Sequence, residues 1–228
     1  MCIRDRHEAV YDFGGFDPRL RTLKYSPPGA PQWAARAQQA LSEAGLPSQV
    51  SHQGGLDHGI WTPLRYLFPQ ADIPVLPLAW NPRATPAELW AIGQALAGLS
   101  EQGAMIIGSG SITHNLGLYM QLGLPMQAAE RPESLAFRGW FESQGRGAQW
   151  SQLLNYRSQA PHASLMHPTD EHLLPWFAAA GVGAAQSSEA PAIRLHGSAQ
   201  HGVIGMDLTA FGPRAAELQT ALNSKMPH

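Results

Sequence analysis

The stretch Ala104–Leu116, AMIIGSGSITHNL, constrains the fold more than any other part of this 228-residue chain. A short apolar run, Ala104–Ile107, leads into a turn of Gly and Ser residues, and His114 and Asn115 follow. An apolar run that ends in glycines is typical of a buried strand opening into a loop. In an open α/β sheet, ligands bind beyond the carboxyl ends of such strands, so the pattern places His114 where a site is usually built.

The preceding residues complete a strand–helix–strand unit. Ile73–Ala79 predicts a buried strand, with Pro77 at a bulge or an edge. Thr85 and Glu88 are spaced as a capping box, with a proline between them, and so predict the start of a helix. Because a helix then separates two short strands, the strands are expected to pair in parallel. The sequence therefore predicts an α/β fold.

A second histidine lies in the turn Gly54–Trp61, GGLDHGIW, where glycines flank Asp57 and His58. Asp57 could orient the imidazole of His58 and raise its basicity. Neighbouring side chains often point apart, however, and Asp57 could instead cap the helix that begins near Thr62. Both interpretations of this turn stay open from the residues alone.

The third histidine-bearing segment is His167–Trp176, HPTDEHLLPW. Thr169 predicts a helix N-cap, which would place Glu171 and His172 in the first turn of the helix, a usual place to hold a ligand. Gly181–Gly183 predicts the end of that helix. Elsewhere the periodicity predicts helices at Gln32–Ala44, Pro132–Gln144 and Ala148–Arg157, and strands at Ala192–His196 and Val203–Phe211.

Composition excludes several classes of partner. The formal net charge is -2 and no basic cluster occurs, which argues against nucleic acid or an anionic membrane as a partner. No apolar run approaches the roughly 18 residues of a membrane helix. The single cysteine, Cys2, excludes an internal disulfide and indicates a reducing, cytoplasmic location.

Spacing alone gives a weak indication of chemistry. His58, His114 and His172 lie on separate turns and share no short metal-ligand spacing such as HExxH. The Gly-Ser turn lacks the lysine of a phosphate-binding loop, and no GxSxG nucleophile motif occurs. The residues alone therefore predict an α/β domain whose histidine-bearing turns could line a metal site.

Six motifs extend this interpretation: DFGGF, YSPPGAP, GLDHGIWTPL, FPQADIPVLPL, GSGSITHNL and HPTDEHLLPWFAAAG. In this order they resemble the class III extradiol ring-cleavage dioxygenases of the LigB-like group, the branch that includes 4,5-DOPA dioxygenase. The resemblance runs from His7 to about Phe211. It implies a three-layer α/β/α fold with a mostly parallel central sheet, and a single catalytic domain over residues 7–228.

The resemblance also implies a non-haem iron(II) site, which zinc can occupy instead. His114 and His172 match metal-site positions, and His58 matches a histidine proposed for acid–base work. In related enzymes the residue at the position of His114 is a general base, so its role as ligand or base stays open. Glu171 is the alternative ligand to His172, because some relatives place a carboxylate there.

The implied reaction is extradiol cleavage of a small catechol-type diol with O2. Tyr11, Phe13, Phe16 and Trp61 are candidates to line the substrate pocket, with ordinary core packing as the alternative for each. Which catechol is used, and the oligomeric state, stay open.

The chain departs from the family pattern at its start. Two family motifs with metal-ligating histidines, Gly-His-Gly-Ser-Pro and Ser-Ala-His-Trp, do not occur, and Met1–Arg6 reads as a non-native leader. We therefore expect that the N-terminal strands are missing and that metal binding and turnover are impaired. The alternatives are a non-catalytic metal-binding remnant and a zinc-dependent hydrolase.

Overall fold

The structure is a computed structural model that describes residue 1 and residues 4–224. The prediction for Cys2 therefore lies outside the described residues. The chain divides into two compact units, Met1–Asn81 and Pro82–His228. Neither the leader predicted at Met1–Arg6 nor the single domain over residues 7–228 is tested by this division, and both stay predictions.

The first unit is held together by a small core between irregular segments and two helices. It contains a 3-10 helix at Pro18–Thr22 and helices α1 (Pro31–Glu43) and α2 (His58–Leu67). The predicted helix at Gln32–Ala44 is confirmed as α1, shifted by one residue. The core of this unit comprises Tyr25, Leu56, Trp61 and Leu64.

The second unit is mainly helical and ends in a hairpin. Its helices are α3 (Pro86–Glu101), α4 (Leu116–Leu122), α5 (Pro132–Arg146), α6 (Trp150–Leu154), α7 (Tyr156–Gln159), α8 (Ala163–Met166), α9 (Leu174–Gln186) and α10 (Ala215–Asn223). Strands β1 (Ile193–Gln200) and β2 (Ile204–Ala210) occur where the two final strands are predicted, and they pair antiparallel. The predicted helix at Ala148–Arg157 is divided between α6 and α7.

The mixed α/β class is confirmed, but the mostly parallel three-layer sheet is not. Across the described part of the chain, β1–β2 is the one hydrogen-bonded ladder. Val75, in the predicted strand Ile73–Ala79, makes a single parallel bridge with Gly29. The predicted strand Ala104–Ile107 is irregular, and Met105 is 74% exposed. Apolar periodicity identifies a segment that suits a sheet, whereas a strand also needs a neighbour for its backbone N–H and C=O groups.

Helix α3 begins as the sequence predicts. Thr85 Oγ1 accepts a hydrogen bond from Glu88 N at 3.2 Å, and Glu88 Oε2 accepts one from Thr85 N at 2.6 Å, which together form a capping box. The predicted end of α9 at Gly181–Gly183 is wrong, because the helix continues to Gln186. A Cβ at Gly181 would lie 2.3 Å from the backbone oxygen of Trp90 in α3, so this glycine permits close helix packing rather than ending the helix.

An aromatic core lies between α5, α7 and α9. Phe137 and Phe141 stack at 5.7 Å, and Tyr156 and Phe177 stack at 6.0 Å. Beside this core the buried Arg138 forms ion pairs with Asp207 of β2 at 2.8 Å and with Glu130 at 2.5 Å. Pairing on both sides compensates the guanidinium for its lost hydration. No helix among the described residues is long and apolar enough to cross a membrane.

Candidate active site

The Gly-Ser turn that the sequence singles out lies against the segment 165–175 of the same unit. Ser111 N donates a hydrogen bond to His172 O at 2.8 Å, and His114 N donates one to Met166 O at 3.0 Å. A Cβ at Gly110 would lie 2.1 Å from His172 O, so only glycine permits this approach. Two stretches about sixty residues apart in the chain are thereby brought together.

The Gly-Ser turn places the ring of His114 against the ring of His172. Their ring centroids are 3.6 Å apart and their planes are inclined by 38°. Asn115 supports this placement from both sides: its amide donates to Leu165 O at 2.7 Å, and its Oδ1 accepts from Leu118 N at 2.8 Å, which caps α4. Imidazole rings are nitrogen donors of the kind that divalent iron and zinc prefer, and here two of them lie side by side.

Glu171 adds a carboxylate beside this histidine pair. Its Oε1 lies 3.8 Å from His172 Nε2 and accepts a hydrogen bond from Thr169 Oγ1 at 2.8 Å. Partial burial raises the pKa of Glu171, but the Thr169 and backbone hydrogen bonds, with the nearby imidazoles of His172 and His114, outweigh it, so the pKa is lowered. The carboxylate is therefore ionised at neutral pH.

The prediction that Thr169 caps a helix with Glu171 and His172 in its first turn is wrong. Helix α9 begins at Leu174, and no side chain caps it. The hydroxyl of Thr169 binds the Glu171 carboxylate instead of a backbone N–H. Both candidate ligands consequently lie on turns that precede the helix.

These donors fit a metal ion in part. His114, His172 and Glu171 supply the two nitrogens and one carboxylate that non-haem iron sites use. Among the residues that the structure describes, however, no three His, Cys, Asp or Glu side chains are grouped closely enough to hold a metal ion. The histidine pair therefore offers two ligand positions, and the described geometry does not complete a shell around them.

His167 is a buried residue near this pair that sequence reasoning did not single out. Its Nε2–H donates to Ile112 O at 2.7 Å, and its Nδ1 has no hydrogen-bond partner among the described residues. Burial is the main cause that lowers the pKa of His167, to about 4. This histidine is therefore neutral and joins the Gly-Ser turn to the aromatic core.

The first unit carries the remaining candidates. His58 is the first residue of α2, and Asp57 is the N-cap, accepting from Ile60 N at 3.0 Å. Of the two interpretations of this turn, the capping one is correct, although the helix begins at His58 and not near Thr62. The partner of His58 is Asp12, whose Oδ1 lies 2.9 Å from His58 Nδ1. The sequence offers no local signal for this pair, because the two residues are 46 positions apart.

The predicted substrate-lining aromatics form one cluster in this unit. Trp61 packs edge-on against Tyr11 at 5.9 Å, and Phe13 lies 5.8 Å from the ring of His58 and contacts Phe16. Trp61 is only 1% exposed and its indole N–H donates to Val10 O. Core packing thus accounts for Trp61, and a substrate contact by Tyr11, Phe13 or Trp61 stays a prediction.

Comparison with known proteins connects these features to one family. The model of the catalytic LigB subunit of aromatic ring-opening dioxygenase matches residues 1–204. A 4,5-DOPA dioxygenase extradiol of Beta vulgaris is 37% identical over 204 residues, covering 89% of this chain and 73% of that protein. One of Mirabilis jalapa is 30% identical over 206 residues, covering 90% and 75%.

A solved structure has a similar fold. The crystal structure of an uncharacterized protein from Escherichia coli K12 matches with a TM-score of 0.69 at 24% identity, covering 90% of this chain and 80% of that one. Given the family match over most of its length, the chain belongs to the LigB family of aromatic ring-opening dioxygenases and is an enzyme of that class.

Proposed function

We propose that the chain cleaves a small catechol-type diol with O2 at the bond next to the two hydroxyl groups, using iron(II) held by His114 and His172. The observation that supports this proposal most is the contact of the two imidazoles, 3.6 Å apart in a chain whose family opens aromatic rings. Relatives named 4,5-DOPA dioxygenase extradiol support a catechol as substrate. When bound, iron(II) supplies the redox chemistry toward O2 that zinc lacks.

The protein's own groups would bind and deprotonate the substrate. A neutral imidazole can accept a phenolic proton and return it later, and we assign that role to His58. Glu171 is ionised beside the histidine pair and would contribute negative charge there, or a third ligand. The alternative role of His114 as base is distinguished by metal content, since a base can be replaced without loss of metal.

Metal binding by this chain is proposed to be weak. Among the described residues, two imidazoles lie together with the Glu171 carboxylate 3.8 Å from one of them, and no three His, Cys, Asp or Glu side chains are close enough to hold a metal ion. Each missing ligand lowers affinity and leaves more positions to water. We therefore expect slow turnover even at saturating iron(II).

The test is anaerobic reconstitution with iron(II), followed by O2 uptake and absorbance of the ring-opened product with several catechols. We expect slow cleavage in the parent chain, no cleavage with zinc, and loss of both metal and activity in His114→Ala and His172→Ala. A His196→Gln control, at an exposed histidine of β1, should keep both. Activity with zinc in the absence of O2, or iron-dependent cleavage that survives both alanine substitutions, would overturn the proposal.

A further inference from the structure

The start of α2 is held by a carboxylate from the loop that precedes the 3-10 helix. Asp12 Oδ1 accepts from the backbone N–H of His58 at 3.1 Å and lies 2.9 Å from its ring Nδ1. Both contacts lie within the first unit. We propose that Asp12 is a positioning residue for His58, which fixes the ring in the tautomer that carries its proton on Nδ1. This inference rests on the proton-transfer role proposed for His58.

The chemistry of the two partners determines which atom holds the proton. An ionised carboxylate only accepts hydrogen bonds, so the ring nitrogen that faces it must be the donor. Partial burial raises the pKa of Asp12, but the hydrogen bonds from the side chain and backbone of His58 outweigh it, and the pKa is lowered. Asp12 is therefore a carboxylate at neutral pH, and Nδ1 carries the proton.

Two contacts from one carboxylate to one residue also fix the orientation of the ring. The oxygen that binds the backbone N–H of His58 binds its side chain too, so the ring cannot turn without losing a hydrogen bond. The rings of Phe13 and His58 are nearly perpendicular, with their centroids 5.8 Å apart. His58 remains 47% exposed, so the ring is accessible although it is held.

Fixing the proton on Nδ1 leaves Nε2 as the basic nitrogen. The structure gives Nε2 of His58 no hydrogen-bond partner among the described residues, so its lone pair can accept a proton from a phenol. The proton moves from the phenolic oxygen to Nε2, and the resulting imidazolium is stabilised by the Asp12 carboxylate. This is the role that a buried aspartate has beside the histidine of serine proteases.

The carboxylate of Asp57 is nearer to His58 in the sequence than Asp12 is, but it is not available to position the His58 ring. Asp57 precedes His58 directly, but its Oδ1 accepts from Ile60 N as the helix N-cap. It therefore provides a matched control, because replacing it removes the cap on the Ile60 N–H and removes no atom of the Asp12–His58 contact.

The first test is the tautomer of His58, which needs neither metal nor turnover. Nitrogen-15 NMR of the metal-free protein, with the resonance assigned by His58→Gln, should show the Nδ1–H form at a pH where the ring is neutral. In Asp12→Asn the amide can donate to Nδ1, so we expect a shift toward the Nε2–H form. Asp17→Asn, at an exposed carboxylate paired with Arg19, should change nothing. An Nε2–H ring in the parent, or an unchanged ring in Asp12→Asn, would overturn the inference.

The second test separates positioning from helix stability. In the reconstituted enzyme we expect Asp12→Asn to lower kcat by about 10- to 100-fold, which does not exceed the lower end of the effect of a general acid or base, with KM changed by less than about threefold. Asp12→Glu should recover part of kcat. Asp57→Ala should lower the thermal midpoint but keep kcat.

An equal fall of kcat in Asp57→Ala, or a parent-like kcat in Asp12→Asn, would contradict positioning. Absence of turnover in the parent would count against the proposed function alone, since the tautomer still decides the role of Asp12.

Discussion

His167 shows how a single buried side chain makes stability depend on pH. Its pKa is lowered to about 4 chiefly by burial, against the 6.5 of an unfolded chain. Above pH 6.5 both states hold a neutral ring and the residue has no effect on pH dependence. As the pH falls through 6.5 toward 4, His167 binds a proton in the unfolded chain but not in the folded chain, so the free energy of unfolding falls.

We expect this histidine to lower the free energy of unfolding by about 1.4 kcal/mol between pH 8 and pH 5.5, from linkage. Urea denaturation with a chelator present measures it. His167→Gln keeps a donor for Ile112 O but cannot titrate, so its pH dependence should be shallower by that amount. His196→Gln removes an exposed histidine and should keep the parent slope. Equal slopes in the parent and His167→Gln would show that the ring is not held neutral.

At the same scale, sequence reasoning found the histidines but not all of their partners. His114 and His172 were identified because glycine turns and family motifs surround them, and the structure brings them together. Asp12 was missed as the partner of His58, because a contact across 46 residues leaves no trace in local spacing. The role of Asp57 was one of two open interpretations that only helix geometry could separate.

At the scale of elements, the packing of α3 on α9 depends on residues without side chains. A Cβ at Gly181 would lie 2.3 Å from Trp90 O, whereas a Cβ at Gly98 in α3 would meet no atom within 4 Å. Alanine is favoured over glycine inside a helix by about 1 kcal/mol. Helix propensity therefore favours alanine equally at Gly98 and Gly181, and the two positions differ in the space that a Cβ would have.

We expect Gly98→Ala to stabilise the protein by about 0.5–1 kcal/mol and Gly181→Ala to destabilise it by about 1–3 kcal/mol, as overpacking does. Chemical denaturation of the two variants beside the parent measures the difference. A gain in stability at both positions would show that the helices can separate without cost, and that the close approach does not hold them.

The same helices show which elements a sequence can predict. The capping box at Thr85 is a local pattern, and the structure confirms it. Gly181 looked like a helix end because glycine often follows a helix, but here a neighbouring helix requires it. The run at Ala104–Ile107 has the apolar character of a strand, yet pairing depends on a partner that its own residues do not specify.

For the whole molecule, the metal should act as a ligand that stabilises the folded state. A ligand of the native state alone raises the free energy of unfolding by RT ln(1 + [L]/Kd). With two imidazoles as the grouped ligands, we expect a Kd no tighter than about 10 µM, which gives about 1.4 kcal/mol or less at 100 µM metal. For a chain of this size that corresponds to a rise in Tm of at most about 3–6 °C.

Calorimetric unfolding with zinc(II), then with excess chelator, measures this rise. It also distinguishes a site made of the histidine pair from one with more ligands. A small, chelator-reversible shift that disappears in the double variant His114→Gln, His172→Gln but persists in His196→Gln assigns the metal to the pair. A stabilisation above about 2.7 kcal/mol at 100 µM zinc would mean a Kd tighter than about 1 µM, and hence a fuller set of ligands than the described residues group together. A shift retained by the double variant would place the metal elsewhere, and the histidine pair would then need another explanation. Because zinc(II) does not supply redox chemistry toward O2, this result tests the ligands independently of the proposed reaction.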